Sequence, residues 1–180
     1  MILATTVIFL TQIILCLIKR KKHKVYLVIA IILWVIFYPN TFYILTDFIH
    51  FQNYSFFLNY PNTYTYSISD WLVFGHIVVG ALYAMKLGLV AIDHLIIHIK
   101  KLKIMIISAL FFASSFAIYL GRFIRLNSWE ILKIRTLLNA VFHDFDFMIS
   151  FVLMFFIIHV VAYLLFSKQS IFKVKNQEVL

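Results

Sequence analysis

The chain has 180 residues, 64% of them hydrophobic and 13% charged, with a mean hydropathy of +0.99. A soluble domain carries roughly 25% charged residues, so this composition excludes one and points to a membrane protein. The formal charge of +9 does not point to nucleic acid: eleven of the 16 Lys and Arg lie at 19–24, at 100–103 and from Lys168 onward, where cytoplasmic connections are expected.

The length accommodates about five membrane helices of roughly 20 residues each. The expected architecture is therefore an all-α, polytopic membrane bundle forming one domain over 1–180, in a plasma membrane. Spans are predicted at about 2–18, 25–39, 71–92, 104–121 and 147–166. A single cysteine, Cys16, excludes an intrachain disulfide and a cysteine metal site.

The first span, 2–18, shows no charged leader region before it and no small-residue cleavage site after it, so it is expected to remain as a helix. The run K-R-K-K-H-K at 19–24 sets its far end in the cytoplasm, giving an N-out, C-in topology. The second span then runs outward until Pro39, which lacks an N–H and ends or kinks a helix. Beyond it, N-T-F-Y-I-L-T-D-F-I-H at 40–50 introduces polar groups. Continued as a helix, it puts Asn40, Tyr43, Asp47 and His50 on one face. Ionisable residues near membrane depth are costly without partners, which makes this stretch a functional candidate. Residues 51–69 form an aromatic, uncharged loop suited to the headgroup level.

The third span repeats Gly80, Ala84 and Gly88 at four-residue spacing; the fourth repeats Ala109, Ala113, Ala117 and Gly121. Such stripes let membrane helices approach closely, so these two spans are predicted to pack directly, with Ile107 off the packed face. Lys86 is read as reaching the cytoplasmic headgroups by snorkelling. His94 and His98 are read as a solvated pair, and His159 as hydrogen-bonded to a neighbouring helix. Residues 131–142, apolar with Lys133, Arg135 and Asn139 interspersed, suit an interfacial helix. Asp47 to Phe51 also lines up with Arg122 to Leu126, as if helix pairs one–two and three–four were parallel repeats.

Arg122 and Arg125 depart from the charge rule, since they fall on the outer side. Asp47 is the economical partner for Arg122, because an unpaired charge there costs several kcal/mol. The candidate ligand-binding residues are Asn40, Tyr43, Asp47, His50, Arg122, Arg125, Asn127, Trp129 and Glu130. As an anion clamp, the arginines match a phosphate or carboxylate. As an enzyme on a lipid-linked substrate, Asp47 and His50 would be a base and its orienting partner. A metal reading needs Asp47 and His50 with His76 or His143. A structural reading makes these groups ion pairs that fix helix register, or makes the chain a subunit of a membrane complex. No metalloprotease or nucleophile-elbow signature is present, and neither metal nor cofactor is expected. The leading expectation is an outward-facing polar site for an anionic ligand, an anionic lipid headgroup or a small anion, in a transporter-like or accessory protein. Its partners would be the lipid bilayer and a membrane complex, not nucleic acid.

From about Trp34 to Phe166 the chain resembles a bacterial integral-membrane family, domain of unknown function 1361. The resemblance rests on F-Y-P-N-T-F-Y-I-L-T-D-F-I-H and S-S-F-A-I-Y-L-G-R-F-I-R-L-N-S-W. Its pattern maps onto Pro39, Asn40, Tyr43, Asp47 and His50, and onto Tyr119, Gly121, Arg122, Arg125, Asn127, Ser128 and Trp129. Ala117 departs from it, standing where that family has glycine. The resemblance implies those two motifs as a site and implies no activity.

Overall fold

The computed structural model describes residues 2–20, 24–54, 56, 64, 66–99, 101–124 and 144–168. The helices are α1 (Ile2–Arg20), α2 (Lys24–Phe37), α3 (Asn40–Tyr43), α4 (Ile68–Ile96), α5 (Lys103–Tyr119) and α6 (Phe145–Phe166). A 3-10 helix covers Ile44–Asn53, and a π-helical turn covers Leu120–Ile124. Among the described residues five stretches are long and apolar enough to cross a membrane, Ile2–Arg20, Lys24–Gln52, Ile68–Ile96, Lys103–Phe123 and Phe145–Phe166. The chain is an all-α integral membrane protein.

In α1, Ala4, Val7, Leu10, Thr11 and Ile14 are buried. They recur at the three- and four-residue steps of one helix face. In α2 only Ala30 and Trp34 are buried, while Val28, Ile29, Ile32 and Val35 stay exposed, as lipid-facing residues do. The Trp34 indole donates a 2.9 Å hydrogen bond to Thr11 Oγ1, which itself donates to the Val7 carbonyl at 2.8 Å. With no water in hydrocarbon to compete, such a bond ties α2 to α1.

Pro39 stops α2 early. Its 14 residues reach about 21 Å, short of the roughly 30 Å hydrocarbon core. The second crossing is completed by α3 and the 3-10 helix, whose start lies inside the bundle: Tyr38, Thr41 and Phe42 are fully buried.

The closest helix pairings are α1 with α2, α1 with α4, and α5 with α6, and α3 also lies against α4. The expected direct packing of the third and fourth spans is not among the close pairings, because their small residues serve different ends. On α4, Gly80, Ala81, Ala84 and Gly88 are buried, and Gly88 receives Thr41. A Cβ on Gly88 would lie 2.8 Å from Thr41 Cβ, so only glycine lets α3 seat there. On α5, Ala109 and Ala113 are exposed, and the buried face is Ile107, Phe111, Ser114, Ser115 and Ile118. Ile107, expected off the packed face, lies on it. The parallel-repeat expectation falls with this, since helices one and two are a close pairing while three and four are not. The bundle instead divides into a first half, α1 to α4 with the 3-10 helix, and a second half, α5, the π turn and α6. One apolar core runs through both.

Candidate polar site

The site begins with how the chain leaves α2. Pro39 cannot donate a hydrogen bond, and the Asn40 side-chain amide donates to the Phe37 carbonyl at 3.0 Å, satisfying an acceptor at the break. Thr41 Oγ1 likewise donates to the Tyr38 carbonyl at 2.8 Å, fixing α3 in the core. The 3-10 helix turns every three residues, so Asp47 and His50 align along one edge. His50 Nε2 lies 3.9 Å from Asp47 Oδ1, with its side chain open to solvent.

Across from them, α5 widens into the π turn that carries Arg122. Its guanidinium donates through Nη1 to Asp47 Oδ1 at 3.3 Å and through Nη2 to the Thr46 carbonyl at 3.0 Å. The Asp47–Arg122 pair expected from charge alone is therefore formed. A guanidinium has five donors, and two are taken up here. The Tyr43 ring lies close enough to Gly121, next to Arg122 in the chain, that a Cβ there would sit 3.2 Å from Tyr43 Cε2. Both motifs depart from the α-helix where they supply charge, as polar sites in helical proteins often do.

Aromatic rings flank the pair on both halves. Phe48 packs on Phe51, which meets Phe74 of α4, and Trp71 adjoins Phe74. On the second half Phe123 packs edge-on to Phe147 and Phe151, with centroids 5.0 Å away in each case. Of these rings Trp71, with its indole N–H, is the type that suits a membrane–water boundary.

Of the sequence candidates, the structure brings Asp47, His50 and Arg122 together. Asn40 is turned to the backbone and Tyr43 to Gly121. Arg125, Asn127, Trp129 and Glu130 lie outside the described residues, as do His143 and 131–142. His76 is exposed on α4. Among the described residues no three metal-binding side chains converge.

Two further polar clusters lie away from the candidate residues. His159 is fully buried and accepts from Ser114 at 3.0 Å, while its Nδ1 donates to the Phe155 carbonyl at 2.8 Å. A carbonyl can only accept, so the proton is on Nδ1 and Ser114 donates to Nε2. The neighbouring-helix partner expected for His159 is therefore Ser114. The Phe42 ring stacks on the imidazole, with centroids 3.8 Å apart, and that contact had no signal in the spacing of residues. At the opposite end, Asp93 accepts from Ser167 Oγ and from the Lys168 backbone N–H at 2.9 Å. Lys86 Nζ donates to the Phe166 carbonyl at 3.0 Å, capping α6 rather than only reaching for headgroups.

The family model described as "Protein of unknown function (DUF1361)" matches residues 1–164. Neither a curated protein nor a solved structure matches the chain.

Proposed function

This chain belongs to the DUF1361 family of proteins of unknown function, and from that premise we propose that it holds an anionic group at Arg122. The ligand is a phosphate or carboxylate, carried by a lipid headgroup or by a small solute. The observation that carries this is the guanidinium itself: its side chain is 20% exposed, it is oriented by Asp47 and Thr46, and donors remain for a ligand. Asp47 is 37% exposed, so the pair is an exchangeable interfacial one rather than a sealed buried one. Asp47 orients Arg122 and competes with the ligand for it.

Charge supports an assignment of the site's side of the membrane. Lys19, Arg20, Lys24, Lys101, Lys103 and Lys168 gather at one end of the bundle, and the site lies at the other, with Asp70, Asp144 and Asp146 at nearby helix starts. The positive-inside rule supports a site facing outward, with the N-terminus outside and the C-terminus inside. Together with the family resemblance this supports a bacterial plasma-membrane protein, transporter-like or accessory.

The test is native mass spectrometry of the purified protein titrated with short-chain phosphatidylglycerol, with phosphatidylcholine and inorganic phosphate as separate arms. Arg122→Gln should weaken phosphatidylglycerol binding by about 10- to 100-fold, the equivalent of losing a charged hydrogen bond of roughly 1.5–3 kcal/mol. Asp47→Asn should leave binding equal or tighter, because it frees the guanidinium. Competition by inorganic phosphate would assign the ligand to a free anion rather than a headgroup. Binding unchanged in Arg122→Gln, or lost equally in Asp47→Asn, would refute the proposal.

A further inference from the structure

The two halves of the bundle are tied by named side chains at three levels. At the site end, Arg122 of the second half holds Asp47 and the Thr46 carbonyl of the first. At the other end, Asp93 holds Ser167 and Lys168, and Lys86 holds the Phe166 carbonyl. Between them, Phe42 of the first half lies flat on His159 of the second. Ser114, bonded to His159, is eight residues before Arg122, and His159 is eight before Ser167. At 1.5 Å per residue each arm is about 12 Å long, so the stack sits midway between the end ties.

The middle tie differs in kind from the others. Both imidazole nitrogens are used within the second half, on Ser114 and Phe155. Phe42 follows Thr41, which is held within the first half by the Tyr38 carbonyl and its seat on Gly88. Among the described residues no hydrogen bond crosses at the stack, so two well-knit bodies meet there through ring faces that can pivot. The Asp47–Arg122 tie is partly exposed, where water can replace it, whereas Asp93 and Ser167 at the other end are buried. Beside the pivot lies Tyr38, fully buried, its ring 6.2 Å from His159. Its hydroxyl is the buried side-chain polar atom left without a hydrogen-bond partner among the described residues. Such a group calls for an explanation.

From these placements we infer that the second half rocks against the first about the Phe42–His159 stack. The halves part at the Asp47–Arg122 latch while the Asp93 latch holds, and the opening admits a small hydrogen-bond-accepting solute to the Tyr38 hydroxyl. The chain passes from the first half to the second between α4 and α5, beside the Asp93 latch, so that end stays fixed while the other opens. This goes beyond anion capture at Arg122 and does not depend on which anion is held there.

The test is thiol labelling of Tyr38→Cys in a Cys16→Ser background, in membranes, with a sulfonate and a trimethylammonium methanethiosulfonate. Labelling should be slow with both latches intact. Asp47→Asn or Arg122→Gln should speed it at least about tenfold, the factor set by loosening a tie by roughly 1.4 kcal/mol, and Asp93→Asn should not. Asp47→Asn leaves the guanidinium at the mouth and should favour the sulfonate; Arg122→Gln leaves the carboxylate and should favour the cation. Leu89→Cys, fully buried on α4, should stay unreactive throughout. Parallel acceleration at Leu89→Cys, equal acceleration by Asp93→Asn, or none in either latch variant would each overturn the inference. No anion need be bound for this measurement, so it fails or succeeds separately from anion capture.

Discussion

Adding one methyl group to α4 at two glycines should have opposite effects on stability. At Gly88 a Cβ would meet Thr41 Cβ at 2.8 Å and Cγ2 at 3.2 Å, whereas at Gly75 it would meet nothing within 4 Å. Thr41 cannot step aside freely, because it is fully buried and its hydroxyl is bonded to the Tyr38 carbonyl. Gly88→Ala must therefore push α3 off α4, at an overpacking cost of about 1–3 kcal/mol. Both substitutions gain the same helix propensity, about 1 kcal/mol for alanine over glycine. That gain cancels in the comparison, so Gly75→Ala should exceed Gly88→Ala in stability by the overpacking cost alone. Thermal melting of both variants in one detergent measures the difference. Gly75→Ala should melt at or above the parent protein and Gly88→Ala below it. Equal shifts would refute the seating of α3 on Gly88.

Two further substitution pairs test the second half. Ile107→Ala should cost about 2 kcal/mol or more, since Ile107 is buried on α5, while Ala113→Leu should stay within about 0.5 kcal/mol; melting in detergent checks the order, and the reverse order would restore the small-residue face. Ser114→Ala should cost about 1–3 kcal/mol by leaving His159 Nε2 unsatisfied. Adding His159→Phe to it should recover part of that loss, because both polar partners are then gone; denaturant unfolding of the single and double variants reads the recovery.

What the sequence made legible was charge and interruption. A carboxylate after the second span and an arginine after the fourth, in a chain this poor in acidic residues, left few pairings, and Asp47–Arg122 formed. Pro39 declared its break because its chemistry allows nothing else. The stripes were less informative for a physical reason. A row of small residues says that something can come close, and not which element does. On α4 the close neighbour is Thr41, from a four-residue helix that no periodicity marks. On α5 the row at Ala109 and Ala113 faces outward, where small residues carry no packing meaning. The Phe42–His159 stack was illegible because it joins residues from separate spans with no charge to pair them.

The position of the ion pair follows from helix geometry as much as from charge. Continued from α5, Arg122 falls three residues after Tyr119 and four after Ile118, both buried, so it is on the inward face before any electrostatics act. Asp47 reaches the same level because the chain rises about 2.0 Å per residue in the 3-10 segment rather than 1.5 Å. Ten residues of 3-10 helix is a long run for that conformation. Something outside the backbone must sustain it, and the Thr46 carbonyl held by Arg122 is one such restraint. The arginine thus fixes the backbone that presents its own counter-ion, and a ligand that draws Arg122 away would loosen the segment closing the seam. An anion at Arg122 would then favour opening of the first latch without being required for it.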